Sequence, residues 1–125
     1  MLVAMRFVVA EEFAADFDAR ARAALGALAA RPGYLDGQLG RAFDDPTHWC
    51  LTTRWASVGA YRRALGAYDV KMYATPLLAQ AVDEPSAFET LAEAAAGGEV
   101  VGHDSDMRYD SDRAGPGAGT LRSAP

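Results

Sequence analysis

The chain has 125 residues, 50% of them hydrophobic, which is room for one domain with one core and too little for two. Acidic side chains outnumber basic ones 17 to 12, and the net charge of −5 argues against nucleic acid or an anionic membrane as partner, since both select a basic face. No apolar run approaches the roughly 20 residues that span a bilayer. The opening MLVAMRFVVAEE also lacks the apolar stretch and cleavage site of a signal peptide, so a cytoplasmic protein is expected.

Residues 2–9, LVAMRFVV, are β-branched and apolar around the single charge of Arg6, as suits a strand buried on at least one face. From Glu12 the period changes. Phe13, Phe17, Ala21, Ala24 and Leu28 recur every three or four residues and predict a helix, which Arg31-Pro32-Gly33 ends. A second strand, 34–43, places Leu35, Leu39, Arg41 and Phe43 on one side and Tyr34, Asp36, Gln38 and Ala42 on the other, with Gly37 and Gly40 marking a bulge or a close backbone approach. Asp44-Asp45-Pro46-Thr47 predicts the turn of a hairpin. The third strand, HWCLTTRW, groups Trp49, Leu51, Thr53 and Trp55 opposite His48, Cys50, Thr52 and Arg54. Ser57 is an N-cap candidate for a helix with the stripe Val58, Tyr61, Leu65 and Tyr68, interrupted at Gly66. Asp69 is expected to cap a further turn, and Thr75-Pro76 to start another that buries Leu77, Leu78 and Ala81. The segment SAFETL reads as the fourth strand.

The expected fold class is therefore α+β, a ferredoxin-like βαββαβ arrangement on an antiparallel sheet with helices over one face. Strands one and three carry apolar residues on more than one side, so the uncovered face calls for a second copy, and a homodimer is expected. The domain should occupy residues 1–91. Residues 92–125 are rich in Gly, Ala, Ser, Asp and Pro, hold 6 acidic and 3 basic side chains, and offer too little apolar surface to offset their ordering entropy; a disordered tail is expected there. Its HDSDMRYDSD run has alternate carboxylates but lacks the glycine and terminal glutamate of a calcium loop.

Several segments together resemble the antibiotic biosynthesis monooxygenase family. They are Arg31-Pro32-Gly33-Tyr34-Leu35, Asp44-Asp45-Pro46, Arg54-Trp55-Ala56-Ser57 with Tyr61, Tyr68-Asp69-Val70-Lys71 through Leu78, and Glu84-Pro85-Ser86-Ala87-Phe88-Glu89. The resemblance covers about residues 1–91 and implies a dimeric α/β barrel. It also implies a cofactor-independent oxidation of a phenolic, anthrone or quinol-type aromatic, in which the substrate supplies the electrons to dioxygen and the protein binds, deprotonates and excludes water. The family's tryptophan at the end of strand three falls on Trp55 and its tyrosine six residues later on Tyr61, and these two are the catalytic candidates. The family's asparagine four positions before that tryptophan is Leu51 here, and its strand-two histidine falls near Gly40 or Arg41. These departures favour the alternative of a non-catalytic dimeric module that binds a small aromatic ligand or is structural. Haem-degrading relatives need an asparagine, a tryptophan and an axial histidine where this chain has Met5, Ala64 and Ala74, so haem chemistry is not expected.

Three further residues are candidates for contacting substrate. Tyr73 offers a second phenol, and His48 a base that titrates near neutral pH. Arg54, like Arg6, lies in a strand expected to be largely buried, where it needs an anionic ligand or a carboxylate such as Glu89. The bland alternatives are core packing for Trp55 and Tyr61, solvation for His48, and an inert small hydrophobe for Cys50, which with two scattered histidines makes neither a disulfide nor a zinc site. No cofactor or metal is expected.

Overall fold

The computed structural model describes residues 1–105, and two compact units are distinguished: Met1–Phe88, and a second from Glu89 onward. In the first, strands β1 (Leu2–Val8), β2 (Tyr34–Arg41), β3 (His48–Trp55) and β4 (Ala87–Phe88) form an antiparallel sheet in the order β2-β3-β1-β4. A single 3-10 turn, Glu11–Phe13, leads into α1 (Ala14–Ala29); α2 (Val58–Leu65), α3 (Tyr68–Tyr73) and α4 (Thr75–Leu78) fill the second crossover. This is the expected βαββαβ order, with its second helix broken at Gly66 and Ala74.

The helices cover one sheet face because both crossovers carry their apolar residues inward. Val3 and Phe7 of β1, the four residues Trp49, Leu51, Thr53 and Trp55 of β3, and Phe17, Ala21, Ala24 and Leu28 of α1 are all buried. Phe17 bridges the two layers, with ring centroids 5.1 Å from both Phe7 and Trp49. The opposite face has no covering element within this unit. The β1–β3 register aligns Leu2 with Arg54, Ala4 with Thr52, Arg6 with Cys50 and Val8 with His48 there.

The structure differs from the sequence reading at several points of the first unit. The register of β2 shifts between Tyr34 and Asp36, so one extra residue turns Tyr34 toward the helices and leaves Leu35 exposed. Gly37 is a close approach, since a Cβ there would lie 2.5 Å from the Tyr34 hydroxyl and 2.7 Å from the Thr52 carbonyl oxygen, whereas Gly40 faces open space. On α2 the inward stripe is Ala60, Tyr61 and Ala64, with Tyr68 exposed, because Gly66 ends the helix before the stripe continues; α3 starts after Ala67, and Asp69 lies inside its first turn. The fourth strand is two residues long.

In the second unit, β5 (Ala92–Glu93) pairs with β6 (Val101–Gly102), so the segment expected to be disordered begins with a short antiparallel ladder. Local bonds hold it in place of apolar burial. Gly97 adopts φ 73 in the turn, the His103 amide donates to the Leu91 carbonyl at 2.8 Å, and His103 Nε2 lies 2.6 Å from Glu93 Oε2. Most of the HDSDMRYDSD run lies outside the described residues. Among those described, no helix is long and apolar enough to cross a membrane, and no cluster of His, Cys, Asp or Glu is arranged to hold a metal.

Candidate functional site

Trp55 closes β3 at the helix-covered face and is 1% exposed. The bulge in β2 places Tyr34 edge-on against it, with ring centroids 5.3 Å apart. Tyr61 lies on its other side, at 5.5 Å. The first turn of α2 holds Tyr61 there: Ser57 Oγ accepts the Ala60 amide at 3.0 Å, and Gly33, at φ 88, lets Ala60 press against the chain where a Cβ would come within 2.4 Å of the Ala60 Cβ. A three-ring cluster thus sits where α1, β2, β3 and α2 converge.

Two hydroxyls accompany the rings. Thr53 is buried at 3% exposure, and its Oγ1 accepts the Trp55 indole N–H at 2.8 Å; among the described residues nothing accepts its own hydroxyl proton. The Tyr61 hydroxyl has no hydrogen-bond partner among them either, and burial pushes its ionisation above the usual tyrosine value. Both residues line one small cavity, whose other walls are Val3, Met5, Leu28, Leu51 and Leu78. Its volume is about 10 Å³, room for one water-sized atom and far less than an aromatic ring needs. Leu51 and Leu28 are fixed by burial, whereas Met5 and Leu78 are only partly buried, so these two form the movable wall.

The structure therefore brings Trp55 and Tyr61 together, and leaves the other three candidates elsewhere. Tyr73 is 57% exposed on α3 and does not line the cavity. Arg54 points from the opposite sheet face, where Nε and Nη2 fork the Asp36 carboxylate at 2.9 and 2.7 Å and hold it below the usual aspartate range. Arg6, on the same face, is held in the same way by Glu84 at 2.6 and 2.7 Å, and both pairs are exposed, contrary to the expectation of buried arginines. His48 starts β3, 3.2 Å from Asp45, in an open cleft of about 660 Å³ that it shares with Arg6, Arg41, Asp44 and Trp49. The Arg41 guanidinium lies over the Trp49 ring at 5.1 Å in that cleft. Cys50 also borders it, its thiol pushed up by burial and so kept in the unreactive form.

Sequence reasoning missed Thr53 and Tyr34 as companions of Trp55. The strand alternation already grouped Thr53 with Trp55, and a buried threonine among apolar neighbours was the available signal. Nothing in the local pattern announced Tyr34, because its side is set by the bulge.

Residues 1–75 match the sequence profile described as Antibiotic biosynthesis monooxygenase, and the chain belongs to that family. Among solved structures it is similar to SnoaB, a cofactor-independent oxygenase from Streptomyces nogalater, at 27% identity over 74% of this chain and 95% of that one, with a TM-score of 0.56. It also resembles Rv0793 from Mycobacterium tuberculosis (21% identity, 75% and 97% covered, TM-score 0.61). A third likeness is to a putative antibiotic biosynthesis monooxygenase from Nitrosomonas europaea (15%, 82% and 88%, 0.57). The last two show the fold alone. No curated protein matches the chain.

Proposed function

We propose that this protein is a cofactor-independent monooxygenase of a phenolic, anthrone or quinol-type aromatic, working in the cytoplasm as a homodimer whose second copy covers the open sheet face. The observation that carries the reading is Tyr61, a largely buried residue whose hydroxyl has no hydrogen-bond partner among the described residues, on the wall of an apolar cavity and packed against Trp55. Its hydroxyl proton is free to be donated to a ligand's oxygen. The likeness to SnoaB, whose own activity is oxygenation without a cofactor, supports the same chemistry.

In that chemistry the substrate's anion reduces dioxygen. One oxygen atom bonds to the ring carbon being oxidised and the other leaves as water with two hydrogens, both from the CH2 carbon of an anthrone or one from the ring carbon and one from a hydroxyl of a phenol or quinol, so the substrate supplies every electron. The chain contributes a dry apolar wall, which strengthens each polar contact inside it, and hydroxyls that meet the substrate's oxygen. Entry requires Met5 and Leu78 to give way. Trp55 has a different part from the stacking platform that its type suggests, since Tyr34 and Tyr61 already occupy its surroundings and it does not line the cavity.

Oxygen uptake with a panel of anthrones and hydroquinones tests the proposal. Consumption in proportion to one of them is expected, and a flat trace with all of them overturns it. A second reading, a non-catalytic module, is favoured by the 10 Å³ cavity and by Leu51 on its wall. It predicts that flat trace together with an unchanged melting temperature in the presence of the same aromatics, or a ligand-raised one without turnover.

A further inference from the structure

Thr53 and Tyr61 are the two hydroxyl-bearing residues on the cavity wall, and their hydrogen-bonding capacity is unequal. Thr53 Oγ1 already accepts the Trp55 N–H at 2.8 Å, so what it has left is its proton and one lone pair. The Tyr61 hydroxyl has its proton unspent as well. Apart from Thr53 and Tyr61, the side chains on the wall are apolar: Val3, Met5, Leu28, Leu51 and Leu78. No carboxylate, histidine or amide side chain lines the space to take a proton from a ligand. The site is thus built to give hydrogen bonds, and its volume of about 10 Å³ is the size of the single atom that would receive them.

We infer that Thr53 is a further substrate-binding residue, which donates together with Tyr61 to one oxygen of the ligand, and that this oxygen is a phenolate or a ring carbonyl. Trp55 is the positioning residue. Its N–H fixes the Thr53 rotamer with the hydroxyl proton turned away from the indole, and a hydroxyl that accepts a hydrogen bond becomes a stronger donor. This rests on the proposed oxygenase site and adds to it the ionic state of the ligand. A pair of donors in an apolar cavity favours the anion over the neutral phenol, and the anion is the form that gives electrons to dioxygen. It also explains why a threonine, 3% exposed, stands in a row of large apolar residues on β3.

The test reads the ionisation of a bound probe, 4-nitrophenol, whose anion absorbs in the visible. Titrated against pH in the presence of excess protein, its apparent pKa should fall by about one unit from the free value, a tenfold change in ionisation constant. Thr53→Val keeps the shape of the side chain and should lose a large part of that shift, Thr53→Ser should keep it, and Tyr61→Phe should lose another part. Trp55→Phe should weaken the shift while Thr53 is intact. A probe that ionises alike in wild type and Thr53→Val, a Thr53→Ser that behaves as Thr53→Val, or a probe that wild type does not bind, each overturns the inference. Oxygen uptake stays a separate measurement. Turnover without a Thr53-dependent shift removes this inference and leaves the oxygenase, and a Thr53-dependent shift without turnover removes the oxygenase and leaves the anion site.

Discussion

Tyr61 makes its state visible in the pH dependence of stability. Burial holds its ionisation above the ~10 of an exposed tyrosine, so the folded chain keeps a proton that the unfolded chain has released. That contribution is complete below about pH 10 and is lost as pH rises through the folded value. Tyr61→Phe should therefore flatten the alkaline side of a denaturant-midpoint profile, with Tyr34, raised by burial and by Asp36, left to carry the remaining slope. An unchanged profile would mean that the phenol is solvated. On the acid side the sign is reversed. Asp36, Asp45 and Glu84 are all held below their usual values, the first and last by Arg54 and Arg6 and Asp45 by the Thr47 hydroxyl and amide. Their stabilisation is present above about pH 4 and fades as pH falls through the lowered values, so Asp36→Asn and Glu84→Gln should each make acid unfolding less steep, by circular dichroism. At this scale the sequence was most legible where a residue's role follows from its own strand position, as for Trp55 and Thr53. It was least legible where the partner comes from elsewhere: the carboxylates beside Arg6 and Arg54 were recoverable only after β2 and the loop before β4 had been placed.

Elements came through wherever the hydrophobic period was long. The seven residues of β1, the 16 of α1 and the eight of β3 matched the sequence reading closely, because each repeats its inward residue several times. Short pieces did not. A four-residue helix such as α4 has one buried leucine, Leu77, and its boundary depends on what it packs against. The bulge in β2 reversed the side of Tyr34 and Leu35 with no change in composition. Two substitutions test these joints. Gly33→Ala puts a side chain at φ 88 and 2.4 Å from the Ala60 Cβ, so it should cost about 2 kcal/mol or more and lower the melting temperature by roughly 8 °C or more. Leu78→Ala removes part of the movable cavity wall; it should cost about 2 kcal/mol, near the low end for a leucine because the residue is only partly buried, and should tighten binding of phenol, read by calorimetry. A variant that loses stability without gaining affinity would show that the cavity closes up around the deletion.

The whole molecule poses the question of what covers the second face of the sheet. Helices account for one side, and the other presents Leu2, Ala4, Val8 and Cys50 among charged pairs. A second copy is the proposed occupant, and light scattering over a concentration series should return twice the chain mass at micromolar concentration; a stable monomer would refute the dimer. The charges on that face set how such an association behaves. Arg6 with Glu84 and Arg54 with Asp36 each neutralise themselves within one chain, through forked contacts of 2.6 to 2.9 Å. Two copies meeting there would bring these internally paired charges together, so the pairs would add little long-range attraction to the encounter and lose little to ionic screening. The dissociation constant should then hardly change between 50 mM and 500 mM sodium chloride, and replacing Asp36 and Glu84 by their amides should convert that indifference into a dimer that added salt strengthens.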